Sequence, residues 1–477
     1  MVLMNIGDSK LSAEFYGETT SCISEELAQY ITNIFISDAV VTIANSAFAQ
    51  CENVSSVIIP DSVTRIEDNA FAECRGLVSI TIPNSAMWIG RSAFYKCSSL
   101  KQIVLPENIE VLSRYTFRGC VRLESIVMPN NITKDSYDNF DLSAFYDCSN
   151  LESITIPNGA RIYGSISGCS KLQTVIMDEE QYAYIGRFSG TPWYNSLPTE
   201  TVDGVEYRAN VAMGLVESGG LPPTSISIKD GTKAIANSAF YNNKTISTIN
   251  LPKSLKAIGN MAFENCTSLI NITIPKGVKI IGSRAFLGCS ALISMEFPNS
   301  VEYIGEGVFA CCSSLESIIV PFVGDRINSK YPFGWLFSYN YNYNLEQIYK
   351  IKDGTNGSIY CSFPVTLKSV TILSGDIKSG EFDFKLYGSA ELSRLSVILC
   401  NGVKHIEEKA FYGTNIIGLI DSITIPDSVE SIGAYAFNYY PDIYFHGTKD
   451  QWAVIDKAEN WGITGLIIHC EDGDIKI

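Results

Sequence analysis

Cysteine is the residue whose spacing in this sequence most strongly suggests chemistry. Seven cysteines follow a 23-residue interval: Cys51, Cys74, Cys97 and Cys120, then Cys266, Cys289 and Cys312. Zinc sites usually contain short-range Cys-x-x-Cys pairs, and the sequence has none. A residue type fixed to a repeat is first of all a packing position, so we predict stacked, buried, reduced thiols. Disulfides or a metal are the alternative. Cys311, beside Cys312 but outside the interval, is a candidate for an exposed reactive thiol.

The supply of catalytic residues is otherwise small. Histidine occurs only at positions 405, 446 and 469, which leaves little for acid–base chemistry or metal ligation. The sequence has no Gly-rich phosphate loop after a strand, no Gly-x-Ser-x-Gly and no His-Glu-x-x-His. Adjacent acids such as Glu471 and Asp472 are typical of solvated loops. We therefore predict a protein that is not an enzyme, without catalytic residues, cofactor or metal; a hydrolase acting on a host polymer is the disfavoured alternative.

The overall charge bears on possible partners. The 477 residues include 35 Lys+Arg against 51 Asp+Glu, a formal net charge of −16. Nucleic acids and anionic membranes are bound mainly through cationic side chains, so we expect no nucleic-acid partner. No run approaches the roughly 18 apolar residues of a membrane-spanning helix, so we expect no membrane insertion.

The elements that carry these residues are set by a repeat. Prolines stand 23 residues apart at 60, 83, 106 and 129, and again at 252, 275, 298 and 321. In Leu77–Pro83 the alternation predicts a short strand with Ile80 and Ile82 inside, ended by a proline that cannot donate to the sheet. Gly90, after a later isoleucine, predicts a tight or positive-φ bend. The Ala-Phe pair ending at Phe94 predicts a stack of rings, one in each turn.

This unit, Leu-x-x-Ile-x-Ile-Pro, then Ile-Gly-x-x-Ala-Phe, then Cys, resembles the BspA-type leucine-rich repeats of bacterial and some protozoan surface proteins. The resemblance covers about residues 27–446. It implies an α/β right-handed leucine-rich-repeat solenoid used for adhesion or protein binding, with no catalytic residues to carry over. Counting the strand patterns gives one long parallel sheet of about 18–19 turns of about 23 residues. One of the counted strands ends near Ile351, and the nineteenth turn would be a degenerate one within 179–228.

The domain organisation follows from where the repeat begins, breaks and ends. Residues 1–26 are predicted as an N-terminal cap, 27–446 as the solenoid and 447–477 as a C-terminal cap that opens with a Thr-capped helix. Insertions are expected at about 179–228 and 322–363.

Two surfaces are candidates for binding. One is the aromatic loop residues that escape the repeat, because such rings are enriched in recognition surfaces; an insertion can also bury its rings as a plug. These residues are Trp335, Tyr339, Tyr341 and Tyr343, with Trp193 and Tyr194. The other is the outward face of the strands, which is small, β-branched and nearly uncharged, and which β-propensity alone would also explain.

The leading hypothesis is a non-enzymatic module that binds a protein or glycan, on a cell surface or secreted, as the family resemblance implies. An intracellular scaffold for protein–protein interaction is the alternative. Residues 1–8 show no basic segment followed by an apolar one. No signal peptide is therefore visible, and a cytoplasmic location stays open.

Overall fold

The computed structural model describes the following residues: 2–5, 11–15, 24–129, 132, 139–216, 222–327, 329, 332–338, 349–352, 358–361, 363–380, 382, 384–385, 394–412, 420–437 and 442–477. The chain divides into two compact units, residues 1–198 and 199–477. None of the helices in the described ranges has the length and apolar character needed to span a membrane.

Each repeat contributes one short strand, here called a main strand, to a parallel ladder. In Ser79–Thr81 the middle residue Ile80 is buried and its two neighbours are exposed, as the alternation predicts. The parallel pairing with Gln102–Val104 keeps equivalent residues in register. In unit 1 the main strands are Ile31–Ile36, Ser56–Ile58, Ser79–Thr81, Gln102–Val104, Ser125–Val127, Ser153–Thr155 and Thr174–Ile176. In unit 2 they are Ser225–Ser227, Thr248–Asn250, Asn271–Ile272, Ser294–Glu296, Ser317–Val320, Ser369–Ser374, Leu395–Gly402, Ile420–Pro426, Asp442–His446 and Ile467–Cys470.

A second ladder of shorter parallel strands, here called side strands, runs beside the first. This second ladder is not predictable from the sequence, because an Ile-Gly pair is too short to show a period. Most side strands contain just two residues, and their register repeats from turn to turn, as in Ala257 opposite Ile280. In unit 1 they are Thr42–Ile43, Arg65–Ile66, Trp88–Ile89, Val111–Leu112, Asn139–Asp141 and Arg161–Tyr163. In unit 2 they are Ala234–Ile235, Ala257–Ile258, Ile280–Ile281, Tyr303–Ile304, His405–Ile406, Ser431–Ile432 and Asp456–Lys457.

The glycine after the side strand has a different role from the one predicted. Gly90, Gly259, Gly282, Gly305 and Gly433 do not have a positive φ. Instead, a Cβ on Gly305 would lie 2.1 Å from the backbone nitrogen of Ser283, one turn away. The positive-φ alternative of the predicted bend is therefore wrong, and close approach of neighbouring turns is the reason for glycine.

Residues with a left-handed backbone follow the side strand in each turn, and most of them are not glycine. Asn69 and Glu73 both have positive φ, and the same pair of positions recurs at Ser92 and Lys96. Non-glycine residues adopt this region at a cost of roughly 1 kcal/mol each. The turn therefore stores strain that packing between repeats must offset.

A phenylalanine spine runs through the core of each unit, as predicted. Phe94 lies between Phe71 and Phe117, with ring centroids 5.4 and 5.6 Å apart and interplanar angles of 4° and 10°. In unit 2, Phe263 stacks on Phe240 at 5.3 Å and on Phe286 at 5.4 Å. These spine rings are almost completely buried, so they contribute a large share of the apolar area removed from water.

Side chains also bond each turn to the backbone of the next. The Asn237 Oδ1 accepts from the Asn260 N–H at 2.8 Å, and the Asn260 Oδ1 accepts from the Ser283 N–H at 2.9 Å. The same arrangement in unit 1 uses Asn45 and Asp68. Backbone donors that the strand ladder alone does not reach are satisfied in this way.

The solenoid has about 16 turns of about 23 residues, fewer than the count from strand patterns. The prediction that a strand of the parallel sheet ends near Ile351 is wrong. Tyr349–Lys352 is a strand, but it pairs antiparallel with Ser358–Cys361 and Phe384–Lys385, outside the main ladder. The additional turn considered within 179–228 is absent from its described part. That stretch forms a 3-10 helix, an α-helix and the antiparallel strands Thr199–Val202, Val205–Arg208 and Val211–Leu215.

Helix is scarce in the described residues, so the α component of the predicted class is confined to short segments. The α-helices are Glu25–Ala28, Pro192–Ser196 and Lys449–Val454, and the 3-10 helices are Leu142–Phe145, Glu179–Phe188 and Phe333–Phe337. At the start of the ladder, Leu11–Phe15 pairs with the first main strand and Val2–Asn5 pairs with Leu11–Phe15. At the other end, Gly473–Lys476 pairs antiparallel with the last main strand.

Candidate functional site

The repeat-locked cysteines are a packing ladder, as predicted. The Cys97 Sγ donates to the Phe71 carbonyl at 3.1 Å and the Cys289 Sγ to the Phe263 carbonyl at 3.2 Å, each reaching 26 residues back along the chain. Burial raises the pKa of Cys266 to about 12 and that of Cys97 well above its ordinary value. The twelve cysteines whose side chains the structure describes form no disulfide. A thiol that stays protonated is neither a nucleophile nor a metal ligand.

Native-state alkylation checks this assignment. Iodoacetamide at about pH 9 should leave Cys97 and Cys289 unmodified, since a thiolate would have to form in the buried core. The partly exposed Cys311, Cys400 and Cys470 should be labelled before the buried cysteines. Peptide mass mapping gives the result, and urea-unfolded protein, in which every cysteine should react, is the control. Rapid labelling of Cys97 in the folded chain would contradict the assignment.

The histidines do not assemble with these thiols. The His405 Nδ1 lies 2.9 Å from the Ser431 Oγ, while His469 stacks on Tyr444 and pairs with Asp474. Cys470 follows His469 in a strand, so their side chains point to opposite faces. Across the described ranges, no group of three or more His, Cys, Asp or Glu could hold a metal ion. These contacts define surface and capping histidines.

The aromatic insertion around Trp335 continues the core. Within the 3-10 helix, Phe333 and Phe337 are fully buried. The Phe337 ring lies 6.2 Å from Phe309, and Phe333 stacks at 5.1 Å on Phe382, which leads into the next part of the spine. The Trp335 Nε1 donates to the Ile304 carbonyl at 3.1 Å. The described part of this insertion therefore packs as the plug considered from sequence. Tyr339, Tyr341 and Tyr343 lie outside the described residues.

Trp193 and Tyr194 are also partly buried. They lie in the α-helix Pro192–Ser196, whose Thr191 side chain accepts from the Tyr194 N–H at 3.2 Å. The Trp193 ring meets Phe188 edge-on at 5.2 Å, and the Trp193 backbone N–H donates to the Leu172 carbonyl at 2.8 Å. These residues close the end of the unit 1 ladder, whereas Trp335 belongs to unit 2.

The outward face of the unit 1 main strands is more distinctive. One column, the aliphatic row, exposes large apolar side chains in register: Phe35 pairs with Ile58, and Val127 aligns through Thr155 with Ile176. The exposed fraction is 75% for Val104 and 69% for Val127. Neighbouring strands lie about 4.8 Å apart, and Thr81 and Thr155 interrupt the row between its apolar members. The aliphatic row comprises Ile58, Val104, Val127 and Ile176, and the aromatic Phe35 stands at its start.

The parallel column beside the aliphatic row is small and polar. Ser79 lies opposite Gln102, and Ser125 opposite Ser153. The equivalent face at the start of unit 2 has no such aliphatic row: Ser227 and Asn250 occupy the same register and hydrogen-bond to each other at 3.0 Å. Contiguous exposed apolar side chains on an otherwise polar surface are typical of interaction sites.

A lysine ladder in unit 2 was missed from the sequence. Lys233, Lys256 and Lys279 each precede a side strand, and their backbones are bonded in series, with Lys256 N to Lys233 O and Lys279 N to Lys256 O both 2.7 Å. Lys253 and Lys276 are exposed one turn apart in the neighbouring loops, and these five lysines together are here called the lysine ladder. The signal was available as lysine recurring at the 23-residue interval, but the net charge of the whole chain concealed it.

Comparison with known proteins places the chain in a family. The family model for the BspA type leucine rich repeat region matches residues 26–141, 134–191, 221–335 and 360–445. The chain belongs to this family, a class of repeat scaffolds for adhesion and protein interaction. No curated protein matches it.

Solved structures similar to the chain include leucine-rich-repeat proteins of bacteria. A leucine rich cell surface protein from Faecalibacterium prausnitzii shares 18% identity over 97% of this chain and 96% of the other, with a TM-score of 0.31. The pneumococcal vaccine antigen PcpA shares 21% identity over 83% and 82%, with a TM-score of 0.30. A leucine-rich repeat protein from Bacteroides ovatus shares 23% identity over 67% and 92%, with a TM-score of 0.24.

Proposed function

We propose that this protein is a non-enzymatic adhesion module, presented on a cell surface or secreted, that binds a protein ligand on the unit 1 strand face. The aliphatic row carries the proposal. Its side chains are exposed where the fold does not need them, since the buried residues of the same strands already form the core. Few charges lie on this face, so the ligand surface is expected to be apolar and weakly charged.

The neighbouring polar column supports the same ligand class. Serine and threonine supply adaptable hydrogen bonds, and the aliphatic row supplies apolar area at little cost in conformational entropy, because valine and isoleucine are stiff. Together they form an apolar strip with a polar margin, which is the usual anatomy of a protein interface. Affinity at such a site should depend weakly on salt.

Introducing charge into the aliphatic row tests the proposal. The double variant Val104→Glu/Val127→Glu should bind about tenfold or more weakly to whichever protein is captured from an array of purified extracellular proteins, since a buried unpaired carboxylate costs several kcal/mol. The melting temperature should change by less than about 2 °C, because both side chains are largely exposed. Biolayer interferometry and thermal denaturation provide the two readouts.

Thr273→Glu is the matched control, because Thr273 is exposed at the equivalent position in unit 2; its binding should equal that of the unmodified chain. Unchanged binding by the double variant would refute the strand face. A loss confined to Tyr339→Ala, Tyr341→Ala and Tyr343→Ala would move the site to the aromatic loop. A dimer in light scattering that the double variant dissociates would identify a second copy as the occupant.

An intracellular scaffold is the second candidate function. The observation in its favour is that the partly exposed Cys400 and Cys470 form no disulfide, a state that a reducing compartment preserves. Protease treatment of intact cells separates the two. Digestion of the chain supports surface presentation, whereas full protection together with recovery from the cell lysate supports the scaffold.

A further inference from the structure

The lysine ladder concentrates positive charge in an acidic protein. Between residues 229 and 284 there are seven lysines and Arg284, but just two acids, Asp230 and Glu264. The whole chain has a formal net charge of −16. The net charge of this segment is therefore positive, whereas that of the whole chain is negative. The repeat pattern does not by itself require lysine at these positions.

The backbone holds the charges close together. Because the side strands are in register, the Cα atoms of Lys233, Lys256 and Lys279 follow one another at the strand spacing of about 4.8 Å. Like charges at this spacing repel each other. The exposed loop lysines Lys253 and Lys276 lie beside this row. The Lys256 Nζ is 3.6 Å from the point where a Cβ on Gly277, the residue after Lys276, would stand.

Neutralising acids lie mainly at the ends of the ladder. Glu302 pairs with Lys279 at one end, and Glu200 pairs with Lys229 at the other. In the part of the chain that the structure describes, Lys253, Lys256 and Lys276 have no ion-pair partner. Three ammonium groups are thus left for a ligand, with Lys253 and Lys256 on one turn and Lys276 on the next.

We propose that the lysine ladder binds a linear anionic polysaccharide, one that carries sulfate or carboxylate groups along its length. The row of charges repeats in one dimension, which matches a polymer with repeating anions rather than a single small anion. Lysine acts as a hydrated point charge and tolerates many anion geometries, whereas arginine is the usual choice for bidentate recognition. This ligand is additional to the protein proposed for unit 1.

Other polyanions fit less well. Binding of single-stranded nucleic acid relies on aromatic rings that stack on bases, but Ser254 and Gly277 accompany these lysines instead. An acidic peptide added as a strand needs a free sheet edge, whereas the side strands here are paired with the next turns on both sides. The ladder presents side chains rather than backbone groups.

Heparin serves as the probe. Its affinity for the full chain is measured by isothermal titration calorimetry at several NaCl concentrations, and compared with that of Lys253→Gln/Lys256→Gln/Lys276→Gln. We expect a loss of about 10- to 100-fold in affinity and a shallower salt dependence, since three screened charge contacts disappear. The fold should be unchanged, because none of the three lysines is in an ion pair among the described residues.

The control variant is Lys368→Gln/Lys404→Gln/Lys409→Gln, which changes the net charge equally at other places in unit 2; it should retain affinity. Val104→Glu/Val127→Glu should also bind heparin normally, which separates this proposal from that for unit 1. Equal loss in the control, no heparin binding, or equal binding of desulfated, uncharged glycan would overturn the proposal. Stronger competition by poly-glutamate or oligo-dT than by heparin would overturn the choice of polysaccharide.

Discussion

Truncating one ring of the spine, Phe94→Ala, should lower the free energy of unfolding by about 3–5 kcal/mol, as large-to-small core substitutions do. Phe94 is completely buried and stacked on both sides, so neighbouring rings cannot collapse into the space without breaking their own stack. Urea denaturation measures the loss. Phe286→Ala in unit 2 should behave alike.

Tyr241→Ala is the control, because this ring follows Phe240 directly but is 46% exposed; its effect should stay below about 1 kcal/mol. Each turn contacts mainly its neighbours, so Phe94→Ala should increase hydrogen exchange first in the turns that contain Phe71 and Phe117. A uniform increase along the whole chain would show that cooperativity extends beyond neighbouring turns and would contradict this expectation.

A single methyl group on Gly305 should be nearly as damaging. Its Cβ would lie 2.1 Å from the Ser283 nitrogen and 2.4 Å from the Ser283 Cα, both of them backbone atoms that no rotamer change can move. Gly305→Ala should therefore cost about 3 kcal/mol or more, at the upper end for overpacking, because two turns must separate. Thermal unfolding with far-ultraviolet circular dichroism gives the measurement.

Gly186→Ala controls for the change of residue type. A Cβ there would meet nothing within 4 Å, and its φ lies outside the left-handed region, so alanine should be neutral or slightly stabilising. If Gly305→Ala were as stable as the unmodified chain, the separation between turns would have to be adjustable, and close approach would not explain glycine at this position.

The regular part of the fold was predictable because each repeated residue type has one physical role. Proline lacks an N–H, so the prolines that recur at the 23-residue interval, such as Pro83 and Pro252, follow the ends of main strands. The position of Ile80 inside and Thr81 outside follows from the pleat. The glycine prediction erred because a sequence shows that a side chain is absent but not whether dihedral freedom or space is the cause.

The insertions could not be predicted in this way. Phe333 and Phe337 break the interval, and nothing local indicates that they rejoin the spine through Phe382. Asp178 and Gln181 form a capping box, which is a signal for the start of a helix. That signal was overlooked, and a further solenoid turn was considered there instead. At the candidate site, the sequence pattern places Val104 and Val127 on the outward face of their strands. How far these side chains are exposed, and that unit 2 lacks such a row at its start, could be seen only in the structure.

The bonds from Asn237 to Asn260 and from Asn260 to Ser283 each join residues 23 apart, and the thiols reach 26 residues back. In the regular turns, a duplication or deletion of one whole turn gives every side chain an equivalent partner, whereas a change of one or two residues mismatches the contacts that span the altered turn. Gene length in such an array is therefore expected to change mainly in steps of one period. Other turn lengths need local rearrangement, as in the turns from Ser125 to Ser153 and from Ser153 to Thr174, which keep the strand register.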